Sequence, residues 1–183
     1  MTGLGPRPRG LGPLAFPPVA VRRLHNADWG FDSNCFVCEP RNPTGLRIPF
    51  HHDDAMACVT AEFTLDDGFS GAPKFVHGGI VLAILDEAMA WATIAVGGKF
   101  AVTKETRTTF DHPVYVGRSY RVEAFVDETT DAAMDTRAQV LDQKGRRCAE
   151  ARATFVVLSP ATARDAIGDI TSESSRLLRD APS

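Results

Sequence analysis

Much of the chain between residues 57 and 158 is built of short runs in which apolar and polar side chains take turns. ACVTAEFTL (57–65), FAVTKETRTTF (100–110), SYRVEAFVDE (119–128), AMDTRAQVLD (133–142) and CAEARATFVVL (148–158) are alternating or rich in β-branched residues, a pattern that predicts strands. GLRIPFH (45–51) is a sixth such run, joined to the next through the turn-prone HDDA. Residues 111–117, 129–131 and the Gln143-Lys144-Gly145 turn separate the later runs as hairpin connections. One segment breaks the pattern. Residues 78–96, GGIVLAILDEAMAWATIAV, are apolar on every side except for the adjacent acids Asp86 and Glu87, and Gly97-Gly98 follows as a helix stop. This order predicts an α+β fold, an antiparallel sheet of about six strands wrapped around one long buried helix.

The ends read differently. Residues 1–25 carry arginines and no acid, and Pro13, Pro17 and Pro18 break up their apolar residues, so they lack the continuous apolar core of a signal peptide and predict a flexible arm. The predicted domain runs over 26–158, and 159–183 is polar, a loose tail with one short helix. With 183 residues, 44% of them hydrophobic, one domain with a real core is expected. A net charge of -3 gives no general attraction to nucleic acid or an anionic membrane surface. The 78–96 segment is the membrane-span candidate by apolarity, and its two central acids argue against lipid exposure. Four scattered cysteines do not make a secreted disulfide framework; a reducing, cytoplasmic setting is expected.

The candidate chemistry lies on the helix. His77-Gly78-Gly79 places none of the usual capping residues ahead of the first turn, which leaves backbone N–H groups to meet a carbonyl oxygen as negative charge develops on it. Glycines at that point also admit close approach to the backbone, although two glycines also serve plain helix-on-sheet packing. Asp86 is eight residues beyond Gly78, or about 12 Å along the axis, so one reacting centre cannot touch both. If they cooperate, the amides come from one helix and the carboxylate from another, as a two-fold dimer with antiparallel neighbouring helices supplies. The alternative is that Asp86 or Glu87 pairs with a basic residue such as Lys104 or Arg107 on the following strand. Adjacent helix positions point about 100° apart, so one acid at most faces the site and the other lies toward a sheet edge or solvent.

HGGIVLAILDEAMAWA, followed about a dozen residues later by VTKETRTTFDHPVYVGRSYRVEAFV and preceded by NCFVCEPRNPTGLRI, resembles the hotdog-fold acyl-CoA thioesterases of the PaaI-like branch over roughly residues 33–158. The resemblance implies a hotdog fold, an acyl-CoA substrate, no cofactor and a homo-oligomer whose sites are shared between subunits. It also implies roles. The glycine after the histidine, Gly78, donates its amide to the thioester carbonyl; Asp86 is nucleophile or general base; Thr103 on the next strand assists the water or the acid. Gly79 joins Gly78 as an amide donor, His77 orients the helix start rather than acting as base, and Val76, Met89 and Arg107 are the residues assigned to substrate, with core packing the simpler role for Met89. Two positions depart from the pattern: Gly71, where some relatives carry a polar Asn, and Glu39, where glycine is common.

Thioester hydrolysis suits a sparse site, because a thiol with a pKa near 8.5 leaves without strong acid assistance. Cys35-x-x-Cys38 has half the spacing of a zinc site, yet His51 and His52 are adjacent rather than spaced as two ligands and no second Cys-x-x-Cys exists; the pair is read as a structural turn led by NPTG (42–45), and no metal is expected. Two other functions compete. A hotdog hydratase or dehydratase uses a histidine with an acid in a different arrangement, and a non-catalytic acyl-CoA-binding module keeps a groove without needing Asp86.

Overall fold

The computed structural model describes residues 21–30, 32–169, 171–172 and 174–178. Its strands are β1 (Val21–Arg23), β2 (His51–Asp53), β3 (Cys58–Thr64), β4 (Ser70–Ala72), β5 (Phe75–Val76), β6 (Ala101–Phe110), β7 (Ser119–Thr129), β8 (Ala133–Asp142) and β9 (Arg147–Val157); the helices are α1 (Gly78–Ala95) and α2 (Pro160–Ile167). Seven strands make one antiparallel sheet in the order β1-β2-β3-β7-β8-β9-β6, and β4 with β5 forms a small separate hairpin. The long helix α1 packs across β3, β6, β7, β8 and β9, which is the hotdog arrangement.

The alternation explains the layering. On β7 Tyr120, Val122 and Ala124 are buried, on β8 Met134, Thr136, Ala138 and Val140, and on β9 Ala149, Ala151, Ala153 and Phe155, every second residue in each case. Five of these are alanines, and small side chains on the inner face let a helix lie close to the sheet. From α1, Val81, Ile84, Leu85, Ala88, Met89 and Ala92 fill the space opposite, at helical spacing. Ile84 has no exposed surface, so Ile84→Ala should cost about 2–5 kcal/mol, read as a fall in the urea midpoint at unchanged slope. A loss below about 1 kcal/mol would show that the helix is not seated there.

Three expectations need correction. The 45–51 run is not a strand apart from His51, because Pro49 has no N–H to donate to a ladder and Arg47 sits at φ 55; the strand is His51–Asp53, and the turn falls at 54–57. Within the expected arm, Val21–Arg23 pairs with β2 and Leu24 is buried, so the sheet of about six strands begins inside that arm and counts seven; residues 1–20 lie outside the described residues. Within the expected tail, α2 is capped by the Ser159 hydroxyl, Leu177 joins the main core, and Leu158, Ala163 and Leu178 form a small cluster beside Phe100. Apolar burial docks that segment despite its polar composition. α1 has the length and apolarity of a membrane span, yet its sheet-facing side is spent on the core.

Candidate active site

The helix start is held from three directions. His77 donates its backbone N–H to Phe69 O at 2.9 Å, Val76 donates to Val114 O at 2.8 Å, and Phe75 bridges to Tyr115. Gly71 of β4 lies flat against His77: a Cβ there would come within 3.0 Å of His77 Cα and 3.1 Å of its Cδ2. The departure at position 71 therefore has a steric reason in this chain, since a side chain there would press on the histidine and require it to shift by a few tenths of an ångström.

His77 is itself the cap. Its Nδ1 accepts from the Gly79 N–H at 2.9 Å, a role sequence reading reserved for Ser, Thr, Asp or Asn. This corrects the pairing of Gly78 and Gly79 as amide donors, because the Gly79 N–H is already engaged by the His77 ring and of the two glycines Gly78 alone keeps an amide to offer. An accepting Nδ1 puts the ring proton of the neutral imidazole on Nε2, which fits an orienting histidine. Gly78 opens onto a cleft of about 280 Å³ lined by Phe75, Val76, Val81, Phe110, His112 and Val114 among others. Its walls are mostly apolar, and Val76, assigned to substrate, is one of them.

Eight residues on, Asp86 is half-buried and its Oδ1 accepts from the Thr103 hydroxyl at 2.8 Å. The β6–β9 ladder slips between Thr103 and Glu105, a bulge of the kind that re-aims a side chain beside a site. Among the described residues, the ion pairs include neither Asp86 nor Glu87, so the pairing with Lys104 or Arg107 does not form. Arg107 is exposed on β6, lining a surface cleft with Glu105, Asp127 and Arg152, away from the apolar cleft at the helix start. Met89 is wholly buried in the core, which corrects its assignment to substrate: a side chain with no exposed surface cannot line a groove of this chain.

Glu87 departs most from expectation. It lies neither at a sheet edge nor in solvent but beneath the Cys35–Cys38 turn, where donor atoms of Cys35, Cys38 and Glu87 all fall within 4.8 Å of one another. Burial pushes its carboxyl up to about 8, and the negative sulfur of Cys35 adds to the shift. The hydrogen bond between the two sulfurs holds Cys35 below the usual thiol range and Cys38 above it. The 100° offset from Asp86 predicted that Glu87 faces elsewhere; which loop covers that face depends on long-range folding.

Residues 74–149 match the family model described as the thioesterase superfamily. No curated protein matches the chain. Among solved structures, a thioesterase superfamily protein superposes with a TM-score of 0.65 at 23% identity, covering 78% of this chain and 70% of its own. The E. coli PaaI protein from the phenylacetic acid degradation operon gives 0.53 at 18%, covering 56% and 74%. A Streptococcus mutans protein solved with acetyl-CoA gives 0.53 at 19%, covering 56% and 82%. At these identities the likeness to the solved structures is one of fold.

Proposed function

We propose that this chain, a hotdog-fold protein of thioesterase type, is an acyl-CoA thioesterase working as a homo-oligomer with sites shared between subunits. The observation that carries the reading is the Thr103–Asp86 hydrogen bond, which orients a carboxylate on the central helix about 12 Å from the free amide of Gly78. In the proposed site the Gly78 N–H of one chain holds the thioester carbonyl, and the charge developing on that oxygen is stabilised by the amide and the helix dipole. Asp86 of the neighbouring chain either takes a proton from water or attacks the carbonyl carbon itself. Thr103 fixes the carboxylate in either case, and CoA leaves as the thiolate.

Two surfaces support the assembly. On α1 the stripe Gly79, Ala83, Asp86 and Ala90 is exposed or half-buried although the opposite side of the helix is packed, which leaves room for a second helix against small residues. β6 is the edge of the sheet and is exposed along nearly all of its ten residues, with Val102 on it paired across to the exposed Val156 of β9. A long edge strand bearing apolar residues is a template for pairing with another chain. The cytoplasm, with its reduced thiols, is the proposed setting.

The substrate reading draws on the acetyl-CoA in the S. mutans relative and on a Streptococcus pneumoniae thioesterase protein solved with coenzyme A. Release of free thiol from a panel of acyl-CoAs tests it, with turnover above the uncatalysed rate expected for at least one chain length. Tight binding of acyl-CoA with no thiol release would favour the non-catalytic binding module. Hydration of an enoyl-CoA without thiol release would favour a hydratase.

A further inference from the structure

Cys35, Cys38 and Glu87 bring two sulfurs and one carboxylate together from two distant parts of the chain, and the proposed hydrolysis uses none of them. The turn that carries the cysteines is built independently of that meeting. The Asn42 side chain donates to Asn34 O at 3.0 Å and Cys35 O at 3.4 Å, Leu46 N–H donates to Phe36 O at 2.7 Å, and Ile48 N–H donates to Val37 O at 2.9 Å. Gly45 completes the arrangement, since a Cβ there would sit 2.6 Å from Phe36 O. The NPTG motif thus acts as a clamp that presents two cysteines at fixed spacing.

We propose that Cys35, Cys38 and Glu87 form a binding site for a thiophilic divalent cation, zinc being the best match, which ties the cysteine turn to the central helix one residue from Asp86. The ligand set suits such an ion: Cys-x-x-Cys supplies two soft donors, and a carboxylate supplies a third at ordinary zinc distances of about 2.3 Å to sulfur and about 2.0–2.2 Å to oxygen. Tetrahedral coordination at those lengths separates the donors by roughly 3.5–3.8 Å. Donors already within 4.8 Å need only small side-chain rotations to reach it.

Two further observations point to a ligand. Both sulfurs are offered N–H groups: Val37 N–H donates to Cys35 Sγ at 3.3 Å, and Asn26 Nδ2 lies 3.9 Å from Cys38 Sγ. Donors aimed at sulfur are the outer-shell partners that orient and stabilise metal-bound thiolates. Glu87, meanwhile, is a half-buried acid beneath the cysteine turn with no cation paired to it among the described residues, a place that a positive charge would fill. A divalent ion would bind the cysteines as thiolates and Glu87 as carboxylate, and the protons these groups give up as it binds pass to solvent. All three residues are half-buried rather than sealed, which leaves the fourth position to water.

The test uses the full chain, reduced and stripped of metal by chelator, titrated with Co²⁺ and then Zn²⁺. One Co²⁺ per chain should bind with a near-ultraviolet sulfur-to-cobalt charge-transfer band, and Zn²⁺ should displace it. Cys35→Ser and Cys38→Ser should each weaken binding at least tenfold and diminish the band, Glu87→Gln should weaken binding about tenfold, and Cys58→Ser should leave both unchanged; circular dichroism checks that each variant is folded. No band at equimolar cobalt, or a band that persists in folded Cys35→Ser or Cys38→Ser, would overturn the site. Unaltered affinity in folded Glu87→Gln would overturn the three-ligand assignment. A Cys35–Cys38 disulfide in the purified protein, with no metal uptake after reduction, would also overturn it. No substrate enters these measurements, so they stand whether or not the chain hydrolyses thioesters.

Discussion

Asp86→Asn should leave a folded protein whose turnover of acyl-CoA falls by at least about a hundredfold, the scale of a lost general base or nucleophile. The substitution nearly preserves shape and keeps an oxygen to accept the Thr103 hydroxyl, now 2.8 Å from Asp86 Oδ1, so the loss reports charge and basicity rather than packing. Thr103→Val should fall between Asp86→Asn and the native chain, because it leaves the carboxylate in place but unfixed. Glu87→Gln should be far milder, since Glu87 faces the cysteine turn and not β6. The measurement is kcat from thiol release at saturating substrate. Near-native kcat in Asp86→Asn, or equal losses in Asp86→Asn and Glu87→Gln, would remove Asp86 from its role.

Activity should reappear when two inactive variants are mixed. Gly78→Val carries a lesion at the amide end: a Cβ at position 78 would lie 3.7–3.8 Å from the Phe110 ring, an ordinary contact, so the fold accommodates it while the methyl groups close the mouth of the cleft. In a heterodimer of Gly78→Val with Asp86→Asn, a shared-site architecture gathers both lesions into one site and leaves the other with a native Gly78 from one chain and a native Asp86 from its partner. Refolding the two variants together should therefore restore thiol release, approaching one working site per heterodimer. If each site were built within one chain, every site would keep a lesion and nothing would recover. A verified heterodimer no more active than its parents would sink the cross-subunit reading, and the axial separation of about 12 Å would need another explanation.

The elements that were legible in the sequence are those whose signal is local. The runs at 119–128, 133–142 and 148–158 alternate with period two because each lies on a sheet with one face packed, and short turns between them left antiparallel pairing as the simple connection. α1 was legible for a related reason: a helix enclosed by a sheet must be apolar nearly all round, which made Asp86 conspicuous. Pairing at β1 was not legible, because three residues carry no period and only β2 makes them a strand. Docking of the tail was hidden by polar composition, since a few buried leucines suffice once a surface is there to receive them.

At the site the division is finer. Residue types and spacing along the chain determined that an amide-rich helix start and a carboxylate lie on one helix, too far apart to serve the same carbonyl. Tertiary structure decided what each of them meets. The His77 ring turned back to occupy the Gly79 amide, Gly71 of a separate hairpin packed against that ring, a bulge in β6 brought the Thr103 hydroxyl to Asp86, and the 35–38 turn closed over Glu87. Helical periodicity specifies the direction in which a side chain leaves its own element, because bond geometry repeats along the backbone. Which atoms wait in that direction depends on contacts between residues tens of positions apart, settled only when the whole sheet closes around the helix.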